Sequence, residues 1–293
     1  MRKWLVWIIA VTLVFSFLAT PVLAEDDVPE EDAVMEIPEE EFSEENEGVV
    51  ELAEEAAELP DEDEDEEDDG DSIPSELEKT IFGSDDRVNV KASSYPYSAI
   101  AYMVVKAYCG CSWSGTGFMV SKNRMLTAAH CLVCTKHGKW AKNLTLYFGR
   151  TSAKKYVYKY SGKWYAWAGD TFPNKSYRTD WDYACVKLYK NVGDKTGWLK
   201  PVWKSKDSEL KTKWITVAGY RDGKLKAAAG TVTPIGSNHL GYTIDTQPGS
   251  SGGPVFDSDY KVYGINIAEN NTNTVGYRIN SLVKDAYTKS NKK

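Results

Sequence analysis

Between Thr80 and Lys293 the apolar residues come in short runs rich in Val, Ile, Tyr and Trp, separated by turn residues. Residues 99–105, 117–120, 144–148, 183–188, 214–218 and 261–267 each have the length and composition of a strand. A sustained helical period appears at Ser281 to Lys289, where Leu282, Val283, Ala286 and Tyr287 share a face and predict a short closing helix. About 210 residues of this pattern suffice for two small β-barrels with packed cores. The expected class is all-β. No internal repeat is evident.

The charge is distributed in two blocks. The whole chain of 293 residues carries −8, yet residues 25–78 hold 29 acidic and no basic residues. Residues 79–293 keep 33 basic against 14 acidic residues, about +19. Ahead of the acidic block, Met1 to Ala24 reads as a secretory signal peptide. Arg2 and Lys3 form its basic start, Trp4 to Leu18 its apolar stretch, and Val22-Leu23-Ala24 its small-residue cleavage site. The apolar stretch is shorter than the roughly 20 residues of a spanning helix. Residues 25–79 are expected to be largely disordered, because the run Asp61 to Asp69 repels itself and buries nothing. Val49, Leu52, Ala53, Ala56 and Leu59 could form one short amphipathic turn of helix within it. This segment reads either as a solvated spacer or as a propeptide. The propeptide reading is preferred, since opposite charges on one chain meet at high effective concentration. The expected organisation is thus a signal peptide (1–24), an acidic propeptide (25–79) and a globular domain (80–293).

Three stretches carry chemistry. Gln247-Pro248-Gly249-Ser250-Ser251-Gly252-Gly253-Pro254 places a hydroxyl in a glycine turn, where the backbone can bend and offer two N–H groups to one oxygen. Leu126-Thr127-Ala128-Ala129-His130-Cys131 supplies an imidazole, and Asp182 supplies a carboxylate at the head of the apolar run Tyr183 to Leu188. The order His, Asp, Ser is one of the known orders of a nucleophilic triad. Ser251 would attack a carbonyl, His130 would accept its proton, and Asp182 would orient the imidazole. The N–H groups of Gly249 and Ser251 would receive the oxyanion. Taken singly, each residue is ordinary: a turn serine, a core histidine, a surface aspartate.

The globular part resembles the chymotrypsin-fold bacterial serine proteases, nearest to the secreted glutamyl endopeptidases of the staphylococcal V8 and Bacillus type. Four segments carry the resemblance in order and spacing. They are Gly115-Thr116-Gly117-Phe118-Met119-Val120, Thr127-Ala128-Ala129-His130-Cys131, Asp182-Tyr183-Ala184, and Gly249-Ser250-Ser251-Gly252-Gly253-Pro254-Val255-Phe256. Ile81-Phe82-Gly83-Ser84-Asp85-Asp86-Arg87 is also similar to the mature start of the Bacillus enzymes. The resemblance implies two antiparallel six-stranded barrels of chymotrypsin type and an acyl-enzyme mechanism. It places the carboxylate at Asp182 rather than at the nearby Asp180.

The resemblance also implies a substrate-binding pair. In the glutamyl enzymes a threonine before the nucleophile loop and a histidine on the next strand grip the substrate Glu. Thr246 matches the first position, and the second falls at Asn266, which can donate a hydrogen bond but carries no charge. The S1 pocket is therefore expected to be polar, with Glu preference open; Asn266 could equally be a buried residue paired with backbone. His239 reads as a surface or packing histidine that could reach this pocket. The new amine on Thr80, if processing follows Lys79, would help neutralise a bound Glu.

The five cysteines are Cys109, Cys111, Cys131, Cys134 and Cys185. Export favours disulfides. The resemblance pairs the Cys at 131 with one on the preceding strand, but that position is Gly115 here. The preferred pairing is Cys111–Cys131 with Cys109–Cys134, leaving Cys185 as a buried thiol. Cys109-Gly110-Cys111, Cys131-x-x-Cys134 and His137 also have zinc-site spacing. Export and the role of His130 as base weigh against it, so neither metal nor cofactor is assigned; calcium lacks a compact run of oxygen ligands.

Two function classes follow. The first is a secreted serine endopeptidase made as a zymogen, with protein and peptide substrates and its own acidic propeptide as partners. It is expected to be a monomer that leaves the membrane after signal cleavage. The second is a catalytically silent binder that holds anionic polymers on a basic, Tyr- and Trp-rich face. The intact triad favours the first. No recognised nucleic-acid motif is present, and basic charge alone gives only nonspecific attraction.

Overall fold

Alternation of inward apolar and outward polar side chains assembles two mainly antiparallel sheets. The computed structural model describes residues 34–36, 85–169, 177–269 and 274–290, all within one unit, Asp32–Lys293. The signal peptide, most of the acidic segment with its 49–59 stripe, and Thr80 lie outside the described residues.

The first sheet contains β1 (Val34–Glu36), β3 (Ile100–Ala107), β4 (Ser112–Ser121), β5 (Arg124–Thr127), β6 (Val133–Cys134), β7 (Lys139–Phe148), β8 (Tyr158–Tyr160), β9 (Trp164–Gly169) and β10 (Ala184–Leu188). Its order is β1-β9-β10-β5-β4-β3-β7-β6, with β8 also on β7. The second contains β2 (Val88–Asn89), β11 (Lys200–Pro201), β12 (Lys213–Arg221), β13 (Lys224–Ile235), β14 (His239–Tyr242), β15 (Pro254–Phe256), β16 (Lys261–Glu269) and β17 (Thr274–Arg278). Pairing of β16 with β17 closes strands β12 to β17 into a six-stranded barrel.

The expected all-β class and closing helix are present, but the two halves are not equivalent. Only the second sheet closes; the first curls into a half-barrel. The outer edge of β9 pairs with β1 in the register Met35↔Ala168. β1 belongs to the acidic segment expected to be disordered. Its Val-Met-Glu triplet can extend, and the edge of β9 offers unpaired backbone groups that reward it.

The interior is unusually aromatic. Trp164, Tyr165 and Trp167 of β9 are buried, as are Tyr183, Tyr220, Tyr242 and Tyr277. Burying each such ring contributes roughly 1.5–3 kcal/mol. The Tyr183 and Tyr277 rings pack with centroids 4.8 Å apart, joining the start of β10 to β17 across the two sheets.

The C-terminal helix, Ser281–Lys289, begins where the Asn280 side chain accepts hydrogen bonds from the Leu282 and Val283 N–H groups. At its other end, buried Arg124 of β5 donates to the Ser290 hydroxyl at 2.5 Å and to its carbonyl at 2.9 Å. A cation at a helix C-terminus complements the dipole there. The helix is thereby clamped onto the half-barrel.

Candidate active site

Strand register brings the imidazole and the carboxylate together. β10 pairs antiparallel with β5, Ala184 opposite Thr127, so the residues just outside this ladder are neighbours. His130 occupies the short turn Ala129–Leu132 that follows β5, and Asp182 ends the turn Thr179–Trp181 that precedes β10. Both side chains are buried.

Asp182 accepts from the His130 backbone N–H at 2.9 Å and from Nδ1 at 2.6 Å. The Tyr177 hydroxyl donates to the same carboxylate oxygen at 2.6 Å. A carboxylate at Nδ1 holds the proton there and leaves Nε2 as the basic nitrogen. Burial disfavours the imidazolium, but Asp182 and the Cys131 sulfur beside the ring together outweigh it and hold the His130 pKa well above its ordinary 6.5.

The nucleophile loop is a tight turn. Ser250 N–H donates to the Gln247 carbonyl at 2.9 Å, and Gly253 N–H to the Ser250 carbonyl at 3.0 Å. Gly249 and Gly252 have φ of +90° and +83°, in the left-handed region that strains other residues. A Cβ on Gly249 would lie 2.8 Å from the Tyr220 carbonyl oxygen. Neither the Gly249 nor the Ser251 N–H donates to another group among the described residues. Two such unengaged donors, on either side of the engaged Ser250 N–H, are the kind of group that can receive an oxyanion.

Both sheets fasten this loop. Thr116 of β4 donates its N–H to the Ser251 carbonyl at 2.8 Å and its hydroxyl to the Gly249 carbonyl at 2.7 Å. From the other side, Gly252 N–H donates to the Asn266 carbonyl and Asn266 N–H to the Gly253 carbonyl, each at 2.7 Å. Among the described residues His130 Nε2 is buried with no hydrogen bond to Ser251 Oγ, while the Cys131 sulfur lies beside the ring. In resting sites this hydrogen bond often forms only when substrate arrives.

Thr246 and Asn266 are both buried beside the loop. The Asn266 amide accepts from the Tyr242 hydroxyl at 2.7 Å and donates to the Ser250 carbonyl at 3.3 Å. Asp180 is exposed and lies 3.8 Å from His239 Nδ1, whereas it is Asp182 that bonds His130. His239 packs edge-on against Tyr277, with ring centroids 5.9 Å apart. Sequence reasoning gave no role to Tyr177 or Thr116. Thr116 stood inside a quoted motif, but its contacts span 104 and 133 residues and leave no local trace.

All five cysteines are free, so the expected Cys111–Cys131 and Cys109–Cys134 bonds are not formed. Cys131 lies with its thiol 3.5 Å from the Ser251 carbonyl. Its missing partner explains this: a Cβ built on Gly115 would stand 3.0 Å from Cys131 Sγ, where a half-cystine belongs. Cys109, Cys111, Cys134 and His137 instead converge, their ligand atoms all within 4.8 Å of one another. Cys185 is fully buried, which pushes its pKa up to about 12.

A closed barrel beside a curled half-barrel, with few helices, is the chymotrypsin-like architecture. The chain belongs to the trypsin-like peptidase domain family, which matches residues 115–265. It is 29% identical over 191 residues to a glutamyl endopeptidase of Bacillus licheniformis, covering 61% of this chain and 55% of that one. It is 32% identical over 184 residues to a Bacillus subtilis protein called an extracellular metalloprotease, covering 60% and 57%. The chain thus spans little more than half the length of these curated relatives. A solved glutamyl endopeptidase structure superposes with a TM-score of 0.63 at 22% identity, covering 73% of this chain and all of that one.

Proposed function

We propose that the chain is a secreted serine endopeptidase that cleaves peptide bonds through an acyl-enzyme on Ser251. The observation that carries this is the Asp182–His130 pair: a buried carboxylate 2.6 Å from Nδ1, with a buried Nε2 on the far side of the ring that has no hydrogen-bond partner among the described residues. Nε2 takes the Ser251 proton as the hydroxyl attacks, then returns it to the leaving amine. Gly249 and Ser251 N–H groups hold the oxyanion.

Relatives named as glutamyl endopeptidases support a polar S1 pocket built on Thr246 and Asn266, which takes Glu as its leading substrate side chain. The Asn266 side-chain amide would meet the substrate carboxylate. The acidic segment 25–79 acts as a propeptide over a domain of about +19, in the same exported precursor. A peptide-library digest with the processed protein tests the reading. It expects cleavage that Ser251→Ala lowers about 10⁶-fold, with polar residues, Glu first, before the cut. Undiminished cleavage in that variant overturns the mechanism, and exclusive cleavage after apolar residues overturns the pocket.

A further inference from the structure

The Cys109–Gly110–Cys111 turn joins β3 to β4, and the Cys134-Thr-Lys-His137-Gly138 turn joins β6 to β7. Each bends at a glycine with positive φ, Gly110 at +89° and Gly138 at +61°, and in neither case would a Cβ touch anything within 4 Å. The sharp turns, not packing, call for these glycines. Gly138 N–H returns to the Cys134 carbonyl at 2.7 Å and Gly110 N–H to the Ala107 carbonyl at 2.9 Å. Two hairpin tips therefore present a C-x-C and a C-x-x-H toward one point.

The spacing at that point matches a metal. His137 Nδ1 lies 3.4 Å from Cys111 Sγ and 3.5 Å from Cys134 Sγ. In a tetrahedron with zinc–sulfur bonds near 2.3 Å and a zinc–nitrogen bond near 2.05 Å, the N···S edge is about 3.6 Å and the S···S edge about 3.8 Å. All four ligand atoms fall within 4.8 Å of one another, so a small contraction closes the set.

Disulfides account for the cluster poorly. It holds three thiols, and any bond within it strands the third beside an imidazole. The next cysteine, Cys131, is buried outside the group with its thiol toward Ser251. Three thiolates and one imidazole leave a zinc complex with one net negative charge, and Lys106, Lys136 and Lys139 adjoin the ligands in sequence.

We propose that Cys109, Cys111, Cys134 and His137, through Nδ1, form a closed structural zinc site that ties the β3–β4 hairpin to the β6–β7 hairpin. Four protein ligands leave no open position, so the ion is a fastener rather than a catalyst. Cys134 follows His130 by four residues. The ion therefore anchors the turn bearing His130, the service a disulfide from β4 to Cys131 would give if a cysteine stood in place of Gly115. The proposal stands apart from the catalytic reading, since the ligands touch neither Ser251 nor Asp182.

The test is metal analysis of the full chain purified without chelator or added reductant, with free-thiol titration of the same sample. One zinc per chain is expected, lost in His137→Ala and in Cys111→Ser and kept in Cys185→Ser. Because a ligand variant could misfold, the wild-type protein is also exchanged with Co²⁺. A thiolate-to-cobalt charge-transfer band with intense tetrahedral d–d bands is expected. Wild-type protein that is metal-free and refuses cobalt overturns the site, whether its thiols are free or oxidised. If that metal-free protein still cleaves peptides, the zinc proposal fails while the endopeptidase reading survives.

Discussion

The hydroxyl of Thr116, on the half-barrel, donates to the carbonyl of Gly249, in the nucleophile loop of the closed barrel, at 2.7 Å. The same hydroxyl accepts the Tyr220 N–H at 2.9 Å. One buried side chain thus fixes the Gly249–Ser250 peptide, which lies between the Gly249 and Ser251 N–H groups proposed to receive the oxyanion. Thr116→Val keeps the shape and leaves a buried carbonyl and a buried N–H unpaired, at a cost of about 1–3 kcal/mol. The expected result is a lower melting temperature and a kcat reduced about 10- to 100-fold. An unchanged kcat in a destabilised but folded variant would show that the clamp does not position the loop.

In the proposed mechanism the Asp182–His130 pair sets the pH profile. His130 must be neutral to accept a proton, and its pKa is held above 6.5 in the folded chain. The acidic limb of kcat/KM is therefore expected above pH 6.5. The stability the pair contributes is complete below the unfolded value and is lost as pH rises through the folded one. Tyr177→Phe removes a donor from the Asp182 carboxylate, which becomes more basic toward the imidazolium. The limb should move further upward with a fall in kcat of a few fold. A limb at or below pH 6.5 in the wild type would contradict the pair's electrostatics.

Gly115→Cys should restore a bond that the fold already accommodates. The new Cβ would lie 3.0 Å from Cys131 Sγ and 3.5 Å from Cys131 Cβ, within disulfide dimensions. Intact-mass and peptide mapping without reductant should find the introduced thiol at position 115 linked to Cys131. Closing a loop of this size should add about 3 kcal/mol of stability. A free thiol at both positions after aerobic purification would show that the Cys131 side chain cannot turn toward the strand.

In the proposed S1 pocket, Asn266 would read the substrate side chain without charge. Asn266→His should raise the ratio of cleavage after Glu to cleavage after Gln by about 10-fold at mildly acidic pH, shrinking as the imidazole deprotonates. Steady-state kinetics on a matched peptide pair measures this. No change in the ratio at any pH would place residue 266 outside the pocket.

Much of this was legible in the sequence because the chemistry sits in short contiguous motifs. The candidate residues His130, Asp182, Gly249 and Ser251 each stand in a local pattern, and strands such as Leu144–Phe148 show in their composition. Trp164–Gly169 is buried along its whole length, so it shows no alternation to read. Lys224–Ile235 passes through Ala227-Ala228-Ala229-Gly230, a run poor in strand-forming residues, and is carried by the neighbouring β12. The cysteine pattern misled because resemblance put a disulfide at Cys131, whereas Gly115 removes its partner and two distant hairpin tips collect the other thiols. The zinc-like spacing was visible in the sequence, but only the three-dimensional pairing of β3, β4, β6 and β7 shows Cys109, Cys111, Cys134 and His137 grouped with Cys131 left outside.

The most direct measurement is covalent capture of the nucleophile with a fluorophosphonate probe, located by peptide mass mapping on the processed protein. The account predicts a single adduct on Ser251, absent from Ser251→Ala and strongly slowed in His130→Ala. A processed, folded protein that takes no label, or takes it on another residue, would contradict it.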